Sequence, residues 1–224
     1  MSLAIITGAS SGIGSEFARQ LKAMAGIDEF WFIARRADRM EALRDELGVK
    51  AKIITADLSV PEGIEAVRSA LKEEKPKVKF LVNAAGFGNF GSFEQIPEEE
   101  IVKMIDLNDK ALVSITYLTL PYMREGACIY QLGSLSSFQP VPYITTYGAT
   151  KLGVLDNRLC ISTTYNATEV LCLRGEECSC DIAERRAIFD SCRGDITRNT
   201  STVEDITTGT CALHRALNNT TLDS

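Results

Sequence analysis

The sequence predicts an α/β fold built on a doubly wound parallel sheet, and two observations support this prediction. Short apolar runs alternate with amphipathic stretches of a dozen or more residues along the first two thirds of the chain. Strands separated by such stretches pair in parallel through right-handed crossovers. The apolar runs are also nearly continuous, as expected for strands that helices cover on both faces of the sheet.

Five strands are predicted in chain order, each followed by a helix. The strands are LAIIT, EFWFIA, KAKIITA, VKFLVNAAG and ACIYQLGS. The helices are GIGSEFARQLKAMA, ADRMEALRDELG, VPEGIEAVRSALKEEK, a long segment from about Glu98 to Met123, and another that starts at Thr145. In the first helix, an apolar face is predicted from the spacing of Ile13, Phe17, Leu21 and Met24.

The amino-acid composition and net charge of the chain exclude some classes of function. The chain has 224 residues, 45% of them hydrophobic, and a net charge of −6, which is typical of a globular protein. No apolar run reaches the ~18 residues that span a bilayer, and the N-terminus lacks the pattern of a secretory signal. The acidic balance argues against a nucleic-acid surface. We therefore expect a cytoplasmic protein with no membrane or nucleic-acid partner.

Six of the seven cysteines lie in the last 65 residues. Without an export signal they are expected to be reduced thiols. The spacing of Cys172, Cys178, Cys180 and Cys192 is not that of a zinc site, and His214 is the only histidine. No metal is therefore predicted.

The segment TGASSGIG, from Thr7 to Gly14, joins the first predicted strand to the first helix. Its glycines allow the backbone to turn tightly and to approach a pyrophosphate, whose charge would face the helix N-terminus. A plain strand-to-helix turn is the alternative, but the context of the loop favours a dinucleotide site. Its candidate nucleotide-binding residues are Gly8, Ser10, Ser11, Gly12, Ile13 and Gly14.

The second predicted strand ends at Ala34 and is followed by Arg35 and Arg36. An acidic residue near this point favours a cofactor with a free ribose 2′-hydroxyl, whereas arginine favours a 2′-phosphate. The pair therefore predicts NADP(H) in preference to NAD(H). The alternative is a solvated pair of arginines that opens the next helix.

Further candidate nucleotide contacts follow the third and fourth strands. Asp57, next to Leu58, follows the third strand, where a carboxylate could meet the adenine amino group. Asn83, Ala84 and Gly86 belong to the segment NAAG, whose small residues leave space for a cofactor beside the backbone.

Tyr147 and Lys151 are one helical turn apart, so both project from one face of a helix. A lysine ammonium near a phenol favours the phenolate, and a phenol tuned in this way can exchange a proton near neutral pH. Ser134, thirteen residues before the tyrosine, can hydrogen-bond the same reacting oxygen. Alone, such a pair is more often an exposed helical pair. Its weight comes from the glycine loop, NAAG and the serine in that order.

Residues 1 to about 155 resemble the short-chain dehydrogenase/reductase family, in the branch with TGxxxGxG, NAAG and YxxxK motifs, here TGASSGIG, NAAG and YGATK. The resemblance implies a Rossmann-type fold in which Tyr147 is the acid/base and Lys151 binds the nicotinamide ribose. It also implies that Ser134 orients the substrate carbonyl. Asn108, in IDLND, matches the family's fourth catalytic residue, which holds a proton-relay water by bending its helix.

The same resemblance implies an NADPH-dependent oxidoreductase that interconverts a small-molecule carbonyl and a secondary alcohol. It also implies a homodimer or homotetramer formed through the segment Glu98 to Met123 and the helix after Thr145. The substrate is not defined by the sequence. An apolar lining of the substrate pocket is suggested by Leu135, Phe138, Val141 and Tyr143, and packing of the loop itself is the alternative.

Residues 156–224 form a second, atypical segment in which the family's last strands and substrate lid are not recognisable. The first 151 residues contain ten lysines, six prolines, five methionines and four glutamines, whereas the remaining 73 contain none of these. ATEVLCL could be the sixth strand, although the family's Pro-Gly turn does not follow it. CDIAERRAIFDSC could be one helix, and RGDITRNTSTVEDITTGT has the composition of a disordered segment.

Three explanations of this segment remain open. It is a diverged but functional region with a different lid, or the product of a shifted reading frame or a cloning artefact that starts between Gly153 and Asn157, or a replacement tail used for binding or regulation. If it cannot complete the substrate site, the alternative function is a nucleotide-binding protein without catalytic turnover.

Overall fold

Six parallel strands form one sheet in a computed structural model that describes residues 2–23, 26–137, 141–164 and 168–174. The strands are β1 (Leu3–Thr7), β2 (Glu29–Ala34), β3 (Ala51–Thr55), β4 (Val78–Asn83), β5 (Met123–Gly133) and β6 (Thr168–Arg174). Their order is β3-β2-β1-β4-β5-β6. The chain therefore reverses its direction of travel between β1 and β4, and the carboxyl ends of these strands border the crevice where doubly wound proteins bind ligands.

Six α-helices connect the strands. They are α1 (Gly12–Ala23), α2 (Ala37–Leu47), α3 (Pro61–Glu74), α4 (Glu98–Ile105), α5 (Leu112–Thr119) and α6 (Thr145–Thr164). A π-helical turn, Asp106–Ala111, joins α4 to α5, and short 3₁₀ turns lie at Phe93–Gln95, Leu120–Tyr122 and Leu135–Ser137. The predicted doubly wound α/β fold is confirmed.

The core follows from the continuous apolar strands. Every residue of β1 and β2 is buried, because neighbouring strands and helices cover both faces of the sheet. In β3, which lies at the sheet edge, Ile54 is the buried residue. Among the largest fully buried side chains are Trp31, Phe32, Ile5, Ile6, Leu81 and Ile129.

The predicted apolar face of α1 is partly wrong. Phe17 and Leu21 are buried, but Ile13 is 41% exposed, and Met24 lies outside the described residues. Positions 13, 17 and 21 are spaced by four, a row that drifts around a helix of 3.6 residues per turn. The buried face instead runs through Gly14, Phe17, Ala18 and Leu21.

The long helical segment predicted from Glu98 to Met123 is interrupted by the π-helical turn, and it ends before Met123, which begins β5. Val78 of β4 pairs with Met123, whereas Phe80 pairs with Cys128. An advance of two residues along β4 thus corresponds to five residues along β5, so β5 contains a bulge. Gly126, with φ +77°, lies within this bulge. The bulge explains why the start of β5 was not recognised in the sequence.

The helix α6 continues past residue 155 to Thr164, and β6 then pairs with β5 from Ala127↔Thr168 to Gly133↔Arg174. A sixth strand is therefore present within one residue of the predicted ATEVLCL. The predicted helix over residues 180–192 and the polar segment over 193–210 lie outside the described residues. None of the described helices is long and apolar enough to cross a membrane.

Candidate active site

The loop between β1 and α1 is packed backbone against backbone. Gly8 has φ +69°, and a Cβ added there would lie 2.7 Å from the carbonyl oxygen of Ala84. A Cβ added to Gly14 would lie 2.4 Å from the carbonyl oxygen of Gly8. The Gly8 amide donates to the Ile33 carbonyl at 2.8 Å. Only glycine allows the loops after β1 and β4 to approach this closely.

The N-terminus of α1 is suited to an anion. Its first turn carries no acidic residue, whereas the first turns of α2, α3 and α4 each carry at least one. The first amide groups of a helix lack partners within the helix and bear partial positive charge. Ser11, Gly12 and Ile13 are exposed at this end, so a phosphate could reach these amides.

Of the two predicted arginines, Arg36 contacts this loop. The Arg36 guanidinium donates from Nη2 to Ser10 Oγ at 3.0 Å and to Ser11 Oγ at 2.8 Å. Arg35 is also exposed, and its charge acts on Asp57. The end of β2 therefore presents one positive charge at the glycine loop and a second that acts on Asp57.

Asp57 accepts two hydrogen bonds on Oδ1, from the Ser59 amide at 3.0 Å and from Ser59 Oγ at 2.6 Å. Burial raises the pKa of this carboxyl, but the Ser59 hydrogen bonds and the charges of Arg35 and Lys103 outweigh burial, so the pKa is lowered. Asp57 is therefore an ionised acceptor. The side chain of Leu58 is buried, so a nucleotide contact there would use its backbone.

The NAAG segment divides its residues between the interior and the crevice. The buried Asn83 side chain donates from Nδ2 to Thr116 Oγ1 of α5 at 2.9 Å. A nucleotide contact of Asn83 would therefore also use its backbone. Gly86 is exposed, and a Cβ added there would lie 3.0 Å from Asn108 Oδ1 and 3.7 Å from Lys151 Nζ.

Lys151 brings its ammonium group into the interior beside Tyr147. It is 6% exposed, and Nζ donates to the Leu132 carbonyl of β5 at 2.7 Å. A buried charge is costly unless it is hydrogen-bonded. Nζ lies 5.6 Å from the centroid of the Tyr147 ring. The ring also packs on Gly88, where an added Cβ would lie 2.7 Å from Tyr147 Cδ2.

Ser134 directly follows β5 and is buried. Its Oγ accepts hydrogen bonds from the Ser136 amide at 3.3 Å and from Ser136 Oγ at 2.9 Å. A serine hydroxyl has one proton and two acceptor lone pairs. When the Ser136 hydroxyl donates to Ser134, the Ser134 proton can be donated to a substrate oxygen.

Asn108 lies in the π-helical turn, a feature that is frequent at functional sites. Its Oδ1 accepts from the Phe87 amide at 3.0 Å, and its Nδ2 donates to the Phe87 carbonyl at 2.9 Å and to Thr150 Oγ1 at 3.1 Å. Both amide protons are therefore used, and the side chain joins the loop after β4 to α6.

Three neighbours of the site were not identified from the sequence. Thr150 stands within YGATK, three residues after Tyr147, which places both on one helix face. Gly88 is the first glycine after NAAG. The glycines of the segment GFGNFG are the signal that could have revealed it. Asp109 faces α6, where a Cβ on Gly153 would lie 2.8 Å from Asp109 Oδ1. Burial raises the pKa of Asp109 to about 6, although the charge of Lys151 opposes the rise.

Aromatic side chains lie at the rim of the site. The rings of Phe90 and Tyr143 are 5.7 Å apart, and both side chains are exposed. The Gly91 amide donates to the Tyr143 carbonyl at 2.8 Å, and Tyr143 has φ +68°, which is rare for a bulky residue. Of the predicted apolar lining, Val141 is partly buried, and Phe138 and the side chain of Leu135 lie outside the described part.

The fold is a Rossmann-type α/β sheet, and Tyr147 and Lys151 lie close together beside the end of β5. A family model described as short chain dehydrogenase matches residues 2–172. The chain belongs to the short-chain dehydrogenase family. The match continues beyond residue 155, where the sequence resemblance was expected to end, and it includes most of β6.

The chain is also similar to individual proteins. The chain is 30% identical over 154 residues to an uncharacterized oxidoreductase of Staphylococcus epidermidis, a match that covers 68% of this chain and 66% of that protein. It is 36% identical over 155 residues to a sulfoacetaldehyde reductase of Chromohalobacter salexigens, covering 65% and 59%. A short-chain dehydrogenase from Sphingobium yanoikuyae, solved in complex with NADPH, has a TM-score of 0.69 and 31% identity, covering 77% of this chain and 70% of that one. The matches thus span about three fifths to seven tenths of these proteins.

Proposed function

We propose that this protein is an NADPH-dependent oxidoreductase that interconverts a small-molecule carbonyl and a secondary alcohol. The observation that carries the proposal is the convergence of Lys151 and Tyr147 with Gly86, Asn108 and the end of β5. Lys151 Nζ is bonded to Leu132 of β5, is near Gly86 and lies 5.6 Å from the Tyr147 ring. A buried ammonium beside a phenol at the carboxyl end of a parallel sheet suits proton transfer to a bound ligand.

The residues of the crevice fit a phosphorylated dinucleotide. The close backbone approach at Gly8 and Gly14 leaves room for a pyrophosphate over the start of α1. Arg35 and Arg36 supply the positive charge that a 2′-phosphate requires. Asp57, Leu58, Ala84 and Gly86 would line the remainder. The NADPH complex of the Sphingobium relative supports the same choice of cofactor.

The chain's own residues supply the proton chemistry. NADPH, when bound, provides the hydride that reduces the carbonyl carbon. Tyr147 donates its phenolic proton to the carbonyl oxygen, and the positive charge of Lys151 stabilises the negative charge that remains on the phenol. Ser134 donates its proton as a hydrogen bond to the same oxygen, which stabilises the charge developing there. The reverse reaction uses the same groups with the opposite proton movement.

In this proposal Asn108 acts through the bend of its helix, as the family resemblance implies, and not through its side-chain amide. Because both Nδ2 protons are bonded to Phe87 and Thr150, the side chain has no proton left for a relay water. A relay water at this turn would therefore be held by a backbone group and not by the Asn108 side chain.

We further propose that the protein is a homodimer or homotetramer. Val102, Ile105 and Val113 of α4 and α5, together with Leu152 of α6, are large apolar side chains that are exposed in the single chain. Association through these helices would bury them. Sedimentation velocity of the purified protein tests this directly, and a monomer at micromolar concentration would contradict it.

The main test is carried out on the full chain of 224 residues. Thermal unfolding is measured without cofactor, with NADPH and with NADH, and NADPH oxidation is then followed with a panel of aldehydes and ketones that includes sulfoacetaldehyde. We expect NADPH to raise the unfolding temperature more than NADH, and at least one carbonyl to show saturable reduction.

Two other outcomes lead elsewhere. A shift with NADPH but no turnover across the panel would favour a nucleotide-binding protein without catalysis. Absence of a shift with either cofactor, together with absence of turnover, would overturn both functions.

A further inference from the structure

The hydroxyl of Thr150 connects the catalytic helix to the π-helical turn. It donates to the Tyr147 carbonyl at 2.9 Å and accepts from Asn108 Nδ2 at 3.1 Å. Thr150 is buried, so water does not easily replace either partner. The hydroxyl therefore links the turn of α6 that begins at Tyr147 to Asn108.

The connection continues from Asn108 to the loop after β4. The Asn108 side chain accepts from the backbone N–H of Phe87 and donates to its carbonyl, so it pairs with Phe87 in the way that a residue of a neighbouring strand would. On either side of Phe87, Gly86 lies close to Lys151 Nζ and Gly88 lies against the Tyr147 ring. A series of hydrogen bonds thus runs from Tyr147 through Thr150 and Asn108 back to the loop that touches both Tyr147 and Lys151.

We infer that Thr150 is a positioning residue for Tyr147 and Lys151. This inference rests on the proposed function, since the position of these two groups matters to the rate only if they act on a substrate. Thr150 itself acts through Asn108 and the Tyr147 backbone. Its hydroxyl holds the ring of Tyr147 and the ammonium of Lys151 in register with the loop after β4.

The loss of this hydroxyl has a definite consequence. Valine has nearly the shape of threonine and the same β-branch, so it fits the site but leaves one Asn108 Nδ2 proton without an acceptor in the interior. Asn108 is then free to turn, and the loop at Phe87 loses its fixed partner. A displacement of about 1 Å in a catalytic group can lower the rate by about 100-fold.

The chain contains a control, since a second buried threonine also accepts from an asparagine amide and donates to a carbonyl of its own helix. Thr116 of α5 accepts from Asn83 Nδ2 at 2.9 Å and from Gln131 Nε2 at 3.5 Å, and it donates to the Leu112 carbonyl at 2.7 Å. Thr116→Val therefore removes the same chemical group facing an asparagine, but without a connection to Tyr147 or Lys151.

The experiment compares Thr150→Val, Thr150→Ser and Thr116→Val with the wild-type chain, using NADPH and the best carbonyl of the panel. We expect Thr150→Val to lower kcat about 10- to 100-fold with KM for NADPH unchanged. Thr150→Ser, which keeps the hydroxyl, should retain most of the activity. Thr116→Val should lower the unfolding temperature as much as Thr150→Val but keep the wild-type kcat.

Hydrogen exchange provides a readout that does not depend on turnover. The Phe87 amide, which is bonded to Asn108 Oδ1, should exchange faster in Thr150→Val and at the wild-type rate in Thr116→Val. Wild-type exchange at Phe87 in Thr150→Val would overturn the inference, and so would a kcat equal to that of Thr116→Val. A wild-type chain without turnover would instead count against the proposed function, while the exchange rates would still decide whether Thr150 holds the loop.

Discussion

The two sides of the crevice are held together by different kinds of contact. On the nucleotide side, formed by the loops after β1, β2 and β3, backbone lies directly on backbone at Gly14, and Gly8 packs in the same way on Ala84 of the loop after β4. On the catalytic side, formed by the loop after β4, the π-helical turn and α6, buried side chains hold the geometry through Asn108, Thr150 and Lys151. The first side is therefore sensitive to added atoms, and the second is sensitive to the loss of polar atoms as well.

This difference follows from what each side has to do. A pyrophosphate is bound by backbone amides at a helix N-terminus, which requires a backbone with no side chain in the way. A proton donor must be oriented within a few tenths of an ångström, which requires side chains whose own hydrogen bonds are complete. The following changes test one side against the other, beginning with the largest expected effect.

Tyr147→Phe should separate the two sides most clearly. It removes the proton donor but keeps the ring that packs on Gly88, so we expect kcat to fall by about 10³-fold, while NADPH still raises the unfolding temperature. Steady-state kinetics and thermal unfolding of the same preparation provide both values. Activity within tenfold of the wild type would show that another group donates the proton.

Gly8→Ala should destabilise the nucleotide side through a steric clash added to backbone strain. The added Cβ would lie 2.7 Å from the Ala84 carbonyl oxygen, and alanine would have to adopt the φ of +69° found at Gly8. We therefore expect a loss of about 2–4 kcal/mol in the free energy of unfolding. Gly12→Ala is the matched control. Gly12 also has positive φ, at +57°, but has nothing within 4 Å of an added Cβ.

The Gly12→Ala change should therefore cost only the backbone strain, about 1 kcal/mol. Denaturant titration of both variants measures the difference. Equal losses would show that the close approach to Ala84 does not contribute, and that positive φ alone requires glycine in this loop.

Arg36→Ala should change cofactor preference without affecting the catalytic side. Loss of a charge-assisted contact to a 2′-phosphate should weaken NADPH binding by about 10- to 100-fold and leave NADH binding unchanged. Arg39→Ala, at another exposed arginine of the same region, is the control and should alter neither. If Arg36→Ala weakened both cofactors equally, the arginine would support the glycine loop through Ser10 and Ser11.

Asp109→Asn should produce the smallest effect, and one that depends on pH. Burial raises the pKa of Asp109 from 3.8 in the unfolded chain to about 6 in the folded one, so the folded state binds the extra proton between these values. The stability associated with that proton is present below about 3.8 and is lost as the pH rises through about 6.

The uncharged asparagine avoids this loss. We expect Asp109→Asn to be more stable than the wild type at pH 7 by about 1 kcal/mol, after allowance for solvent screening of a partly exposed group, and equal to it near pH 3.5. Denaturant titrations at both pH values measure the difference. A variant less stable than the wild type at pH 7 would show that the attraction between Asp109 and Lys151 exceeds the cost of burial.

Much of the fold was predictable because its signals are local. The strands LAIIT and EFWFIA were predicted at the residues where β1 and β2 begin and end. A short apolar run bounded by polar residues is typical of a strand buried on both faces of a sheet. The start of β5 was missed because a bulge at Gly126 places Met123 beside Val78, and a bulge depends on the neighbouring strand. Ile13 was placed on the wrong face for a similar reason, since only the packing of α1 decides which row of residues is covered.

The sequence by itself determined the class of the protein, because the glycine loop, NAAG and YGATK are contiguous segments whose order is visible in the sequence. The tertiary structure decided what each side chain does, because hydrogen bonds join residues that are far apart in the chain. It turned the Asn83 side chain towards Thr116 in the interior, used both amide protons of Asn108, and brought Thr150 between Asn108 and Tyr147. Motif spacing records which residues are present, whereas the partners of a buried polar group are set by the whole fold around it.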